Sequence, residues 1–232
     1  MFCVRAAAGL TRSKIELVVA DMAGTVINEG GVVYETLRTS LDANGVSCPP
    51  GAMRAWHGAR KEDVIRHFVD RAGVDKTIEA KVITLFDRDI NRSYFGPDSK
   101  VQLMNEGVVD WIEDLRQHDI DLVLNTGYPP DLQQKLVKEL GLRGLVSASV
   151  SAYEVPMGRP YPYMIFRAME LCGVKDVRRV AKVGDTVRDV QEGINAGCGA
   201  VVGVLSGADT SVALSAAGAN LVAPVITDLD FL

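Results

Sequence analysis

Asp21 closes the apolar run Leu17-Val18-Val19-Ala20, and a Gly24-Thr25 turn follows within four residues. Such a run reads as a buried strand. The carboxylate then stands at a strand's carboxyl end, where open α/β sheets gather their active groups. Later strand ends carry complementary chemistry: Asn125-Thr126-Gly127-Tyr128, then the loop Gly158-Arg159-Pro160, then Gly184-Asp185-Thr186 with Asp189 after it. In a parallel sheet these ends share one edge, so an acid, a hydroxyl, a guanidinium and a second acid meet in one cleft. That set suits phosphoryl transfer. Asp21 has the chemistry of a nucleophile that forms an aspartyl phosphate. Two anions repel, so a divalent cation is needed between Asp21 and the phosphoryl group. Mg²⁺ takes a few hard oxygen ligands and keeps several waters. Asp21, Asp185 and a turn carbonyl can supply them, while Thr126, the amides after it and Arg159 can hold phosphoryl oxygens. A strand-end Asp alone is equally a turn cap, so the weight rests on the four segments together.

The elements that position these groups alternate. Strands are expected over Ile15–Asp21, Ile120–Thr126, Leu145–Val150, Val180–Asp185 and Ala200–Leu205, and helices over Val108–Gln117, Asp131–Leu140, Tyr163–Leu171 and Val190–Ala196. Gly141 and Gly173 stand where helix C-caps belong. Repeated β-then-α units predict an α/β fold, a Rossmann-like doubly wound parallel sheet. Between Val33 and Gly96 the rhythm breaks. Val33–Ala43, Ala52–Ala72 and Lys76–Tyr94 show helical apolar spacing and no strand pattern. We read an inserted α-helical cap at 33–96, with the core formed by 1–32 and 97–232. A helical subdomain without a catalytic role is the plainer alternative. Ser211–Ala219 reads as a short helix.

Composition sets the outer bounds. The 232 residues carry a net charge of −5, which argues against nucleic acid as a partner. No apolar run approaches the ~18 residues of a membrane span. Cys3, Cys48, Cys172 and Cys198 form no CxxC pair and read as reduced, largely buried thiols, so a cytoplasmic enzyme is expected. Arg5, Arg12 and Lys14 with no acid among them fit a frayed basic terminus or the stub of an organelle-targeting peptide.

The set Asp-x-x-Gly-Thr, Thr-Gly, Gly-Arg-Pro and Gly-Asp-Thr-x-x-Asp, in this order from Ile15 to Gly207, resembles the haloacid dehalogenase superfamily. Within it the chain is most similar to the phosphonoacetaldehyde hydrolase (phosphonatase) family, through Met22-Ala23-Gly24-Thr25, Thr126-Gly127-Tyr128, Val155 to Pro162 and Gly184 to Gly197. The resemblance implies Asp21 as nucleophile and metal ligand, the Ala23 carbonyl and Asp185 as further Mg²⁺ ligands, and Thr25 and Asp189 in support. It also gives Ala23 a meaning. Phosphatases of the superfamily usually carry a second Asp there, to protonate a leaving alkoxide. A carbon–phosphorus bond releases a carbanion, which needs an electron sink, and an imine on a lysine is one. Lys61 follows Gly58 by three residues, the spacing of the family's Schiff-base lysine. The implied reaction is hydrolysis of phosphonoacetaldehyde to acetaldehyde and phosphate.

A free lysine is mostly protonated at neutral pH, so desolvation or a neighbouring cation such as Arg60 must lower its pKa. The alternative is a cap lysine that only binds substrate, with Asp21 acting on a phosphomonoester. A non-catalytic phospholigand-binding protein is the third reading. The chain departs from the family at two site positions, and its tail after Gly207 is shorter than the family's. His57 stands where the family has Met, and Val64 where it has a proton-transferring His. If the segment is helical, His57 lies one turn before Lys61 and faces it. Gly58, His57, Thr126, Gly127, Arg159 and Tyr128 are the expected substrate contacts; Tyr161 either joins them or packs. The cap helices and the resemblance together point to a homodimer acting on a small phosphonate or phosphate.

Overall fold

The computed structural model describes residues 14–231. Strand β1 (Leu17–Asp21) is buried along its whole length. Its residues alternate between two apolar layers, as a strand covered on both faces requires: Val18 and Ala20 face one core cluster, Leu17 and Val19 the other. Two-residue strand β2 (Ile27–Asn28) leads into helices α1 (Val32–Asp42), α2 (Lys61–Ala72) and α3 (Thr77–Phe95), after which β3 (Gln102–Leu103) returns antiparallel to β2. Helix α1 packs against α3, and α2 against both. Their apolar stripes meet through Leu37, Leu41, Ile65, Phe68, Val82 and Phe86, all buried.

Beyond this layer the chain alternates: α4 (Val108–Gln117), β4 (Asp121–Thr126), α5 (Pro130–Glu139), β5 (Ala148–Ser151), α6 (Tyr163–Cys172), β6 (Val180–Gly184), α7 (Val187–Ala196), β7 (Ala200–Val204), α8 (Ser211–Ala216) and β8 (Leu221–Ala223). The main sheet has the order β5-β4-β1-β6-β7-β8, with every pair parallel. From β1 the chain builds outward through β4 and β5, then crosses back to β6 on the other side. The crevice at such a reversal, at the strands' carboxyl ends, is where doubly wound sheets bind ligands. Asp21 stands there, in register with Asn125 of β4.

The α/β, doubly wound reading holds, with differences of detail. The expected helix Ala52–Ala72 exists only from Lys61; before it come a single 3₁₀ turn, Arg54–Trp56, and an irregular loop. His57 is extended there, with ψ 138, and Gly58 takes φ 77 in the left-handed region. A left-handed glycine ends a helical path that apolar spacing alone would continue. Strand β5 begins three residues later than expected, because Leu145 and Val146 donate to the Leu142 carbonyl in a turn. Helix α7 begins three residues earlier, at a capping box in which Thr186 and Asp189 bond each other's backbone. Strand β8 and the β2–β3 pair were not expected; two or three residues are too short to show a period.

Cys48, Cys172 and Cys198 are free but only half-buried, less than expected. Cys3 and the basic stretch before Lys14 lie outside the described residues. No described helix is long and apolar enough to cross a membrane.

Candidate active site

Arg159 organises the core side of the site. It is 4% exposed, and its guanidinium touches four segments. Nη2 donates to Asp21 Oδ1 at 2.6 Å, to the Asn125 carbonyl at 2.9 Å and to Asn125 Oδ1 at 2.8 Å. Nε donates to Glu192 Oε2 at 3.2 Å, and Nη1 to the Gly58 carbonyl at 3.3 Å. Thr126 and Gly127 lie beside it at the end of β4. Thr126 Oγ1 accepts the Tyr128 N–H at 3.2 Å. Gly127 must be glycine, since a Cβ there would run into the Ala59 carbonyl. This close approach lets the loop before α2 rest on the sheet edge.

Asp21, Asp185 and Asp189 are buried, with one oxygen from each lying within 4.8 Å of the others. Their surroundings differ. Asp189 is enclosed by Lys182 at 2.8 Å and Arg159 at 3.1 Å. Burial opposes its ionisation, but the two cations outweigh it and hold the carboxyl below its usual range. Burial raises the Asp21 carboxyl, with Arg159 partly offsetting it. Asp185 accepts from Thr25 Oγ1 at 3.2 Å and from the Ala208 N–H at 2.7 Å. Among the described residues it pairs with no Lys or Arg, and burial together with the charges of Asp21 and Asp189 pushes it well above its usual range. A buried all-oxygen donor set with one uncompensated carboxylate fits a hard divalent cation. Asp21, Ala23 and Asp185 border the cavity and Asp189 stands behind them.

Lys61 faces the same cavity, of about 380 Å³, from the first turn of α2. It is 4% exposed. Nζ donates to the Ala59 carbonyl at 3.0 Å and lies 4.9 Å from the centre of the Tyr34 ring and 5.5 Å from that of Tyr128. Burial brings its pKa down to about 8, against a smaller opposing pull from Asp21. The cation that assists is Arg159, not Arg60. Arg60 pairs with Glu62 at 2.9 Å and lies over the Tyr153 ring. The positive end of the α2 dipole acts in the same sense.

His57 borders the cavity, but not through a helical turn. Its ring centre lies 4.1 Å from that of Tyr34, its Nδ1 is buried without a hydrogen-bond partner, and burial lowers its pKa. Gly58 donates its N–H to the Tyr34 hydroxyl at 2.7 Å. Tyr128 borders the cavity, whereas Tyr161 is 45% exposed and away from it. Val64 is buried in the apolar core.

The family model for haloacid dehalogenase-like hydrolases matches residues 15–197, a span that holds all of these strand-end groups. The chain belongs to the haloacid dehalogenase-like hydrolases. It is 31% identical over 207 residues to the phosphonoacetaldehyde hydrolase of Lysinibacillus sphaericus, covering 84% of this chain and 76% of the relative. Among solved structures it resembles a phosphonoacetaldehyde hydrolase-like protein from Oleispira antarctica, with TM-score 0.79 and 22% identity over 98% of this chain and 94% of that one. It also resembles a protein from Haemophilus somnus described as a predicted phosphoglycolate phosphatase, with TM-score 0.78 and 18% identity over 93% of this chain and 96% of that one. At these identities the structural likeness concerns the fold.

This haloacid dehalogenase-like hydrolase also contains groups that sequence reasoning missed. Lys182 lies mid-strand in β6, fully buried, and bonds Asn125 Oδ1 at 2.8 Å besides Asp189 and Glu192. A lone charge inside Val180-Ala181-Lys182-Val183 was the available signal. Lys182→Met would leave Arg159 as the one described cation paired with Asp189 and Glu192, beside the neutral donors Thr186 and Asn125. We expect a loss of about 3–5 kcal/mol, read by calorimetry as a melting temperature lower by roughly 6–20 °C. A change under 2 °C would refute this.

Proposed function

We propose that this chain hydrolyses the carbon–phosphorus bond of phosphonoacetaldehyde through an imine on Lys61 and an aspartyl phosphate on Asp21. The observation that carries the reading is Lys61 itself: a buried amine with a pKa near 8, facing the cavity that Asp21 borders. The methyl group of Ala23 leaves position 23 without an acid for a leaving oxygen. The relatives at about this similarity that are named phosphonoacetaldehyde hydrolase support the same reading.

Each group then has a task. The neutral Lys61 amine adds to the aldehyde carbon, and loss of water gives the imine. Arg159 and the Thr126-Gly127 segment bind the phosphonyl oxygens. Asp21, Asp185 and the Ala23 carbonyl would hold Mg²⁺, which when bound would supply positive charge where two anions must meet. A carboxylate oxygen of Asp21 attacks phosphorus. The carbon–phosphorus bond breaks, and its electron pair passes into the protonated imine to give an enamine. Protonation on carbon and addition of water release acetaldehyde and regenerate Lys61. A second water hydrolyses the aspartyl phosphate to phosphate and Asp21. The helical layer over the cavity excludes bulk water meanwhile.

The test is borohydride reduction during turnover of phosphonoacetaldehyde, with peptide mass spectrometry and phosphate assays with and without Mg²⁺. An N-ethyl or N-(2-phosphonoethyl) group on Lys61, together with Mg²⁺-dependent phosphate release, is expected. Turnover of a phosphomonoester with no adduct on Lys61 would overturn the reading and leave a phosphatase that uses the same Asp21.

A further inference from the structure

Glu29 follows β2, and the Gly30-Gly31 turn carries the chain from it into α1. Its buried carboxylate accepts three hydrogen bonds. The Gly31 N–H reaches Oε1 at 3.0 Å, the Val33 N–H reaches Oε2 at 2.9 Å, and the Tyr94 hydroxyl reaches Oε2 at 3.2 Å. Tyr94 lies in the last turn of α3, where the chain leaves the helical layer. Its oxygen is 2.6 Å from the hydroxyl of Tyr128, on the loop after β4. Three segments are thereby joined: the one entering the helices, the one leaving them, and the catalytic edge of the sheet.

The direction of the protons follows from the carboxylate. Tyr94 donates its hydroxyl proton to Glu29 Oε2, which leaves the Tyr94 oxygen to accept from Tyr128. Burial holds both phenols well above their ordinary range, so each keeps its proton. Tyr128 is consequently tethered at its hydroxyl by Tyr94 and at its backbone N–H by Thr126 Oγ1. Its ring is one of the two aromatic faces bounding Lys61 Nζ. A ring face attracts an ammonium group, so a displaced ring would change where Nζ rests.

We infer that the Glu29–Tyr94–Tyr128 chain is a positioning device for Lys61, locking the Tyr128 ring and the helical layer so that Nζ meets the substrate carbonyl. The inference rests on the reading of Lys61 as the imine-forming amine. Tyr94 does not border the cavity, so changing it alters the tether without removing a group that lines it; Glu29 does border it, so Tyr94→Phe is the deciding variant.

The experiment compares wild type with Tyr94→Phe, Glu29→Gln and Glu29→Ala. It measures borohydride trapping on Lys61, kcat and KM, inhibition by inorganic phosphate, and melting temperature. Tyr94→Phe and Glu29→Ala are expected to slow trapping and kcat together by about tenfold, near the upper worth of the neutral Tyr128–Tyr94 hydrogen bond that the first removes and the second leaves unanchored. Phosphate inhibition should stay within about twofold of wild type, because Arg159 and Thr126 are untouched. Glu29→Gln keeps one acceptor oxygen for Tyr94 and Val33 while its NH2 faces the Gly31 N–H, so it should recover part of the loss, and it serves if Glu29→Ala fails to fold. Wild-type trapping rates in Tyr94→Phe would overturn the inference. So would a parallel loss of phosphate affinity and trapping, which marks general loosening. If wild type itself is never trapped, the imine reading fails instead, and this role with it.

Discussion

Lys61→Arg is expected to abolish release of phosphate from phosphonoacetaldehyde, by about 10³-fold or more in kcat, while the protein stays folded and binds inorganic phosphate as before. Arginine keeps the charge but remains protonated at any working pH and forms no productive imine. Borohydride should leave the variant unlabelled. The same residue sets a pH profile. Free Lys61 has a pKa of about 8, lowered by burial. The neutral amine is the reactive form, so kcat/KM should rise about tenfold per pH unit below 8 and level off above it. The sign separates this model from one in which Lys61 serves as a cation. In that case activity would fall as pH rises through 8, and Lys61→Arg would retain turnover. Either result would refute the imine role.

Asp21→Asn is expected to have the largest effect, a loss of phosphate release of about 10⁴-fold or more, because the proposed mechanism then lacks its nucleophile and no neighbour can substitute. Asp185 and Asp189 are held by Thr25, Ala208, Thr186 and Lys182. The imine half of the reaction should survive, since Lys61 needs only the aldehyde. Reduction of the variant in the presence of phosphonoacetaldehyde should give N-(2-phosphonoethyl)-lysine, with no N-ethyl product. An N-ethyl adduct at the wild-type rate would mean that cleavage proceeds without Asp21 and would sink the aspartyl phosphate. Breaking the 2.6 Å pair with Arg159 removes a buried charge partner, so melting temperature is measured alongside to separate chemistry from folding.

The core of the site was legible because each member ends or follows an apolar run. Asp21, Thr126 and Asp185 break their strands in the same way, and parallel topology does the rest. The parallel doubly wound sheet followed from the same runs. Lys61 came from spacing within a resemblance, and its burial could not be read from sequence. Glu29 and Tyr94 were not legible at all. They meet across 65 residues, and their contact depends on how three helices fold back on one another. The path from His57 to Lys61 failed for a different reason. Apolar periodicity registers which side chains turn inward and is blind to one left-handed glycine, so it continued a helix through Gly58 that the backbone interrupts.

The strand that carries Asp21 is hydrogen-bonded on one side to β4 and on the other to β6, which begins at Val180. During synthesis β1 therefore leaves the ribosome long before its second neighbour exists. A nascent chain that has paired β1 with β4 still presents a fully apolar strand with one row of amide and carbonyl groups unmatched. Its Asp21 also lacks the guanidinium that holds it, since Arg159 arrives 138 residues later. The order of translation thus exposes the strand that carries Asp21 longest, and that carboxylate gains its surroundings only when the last third of the chain closes the sheet.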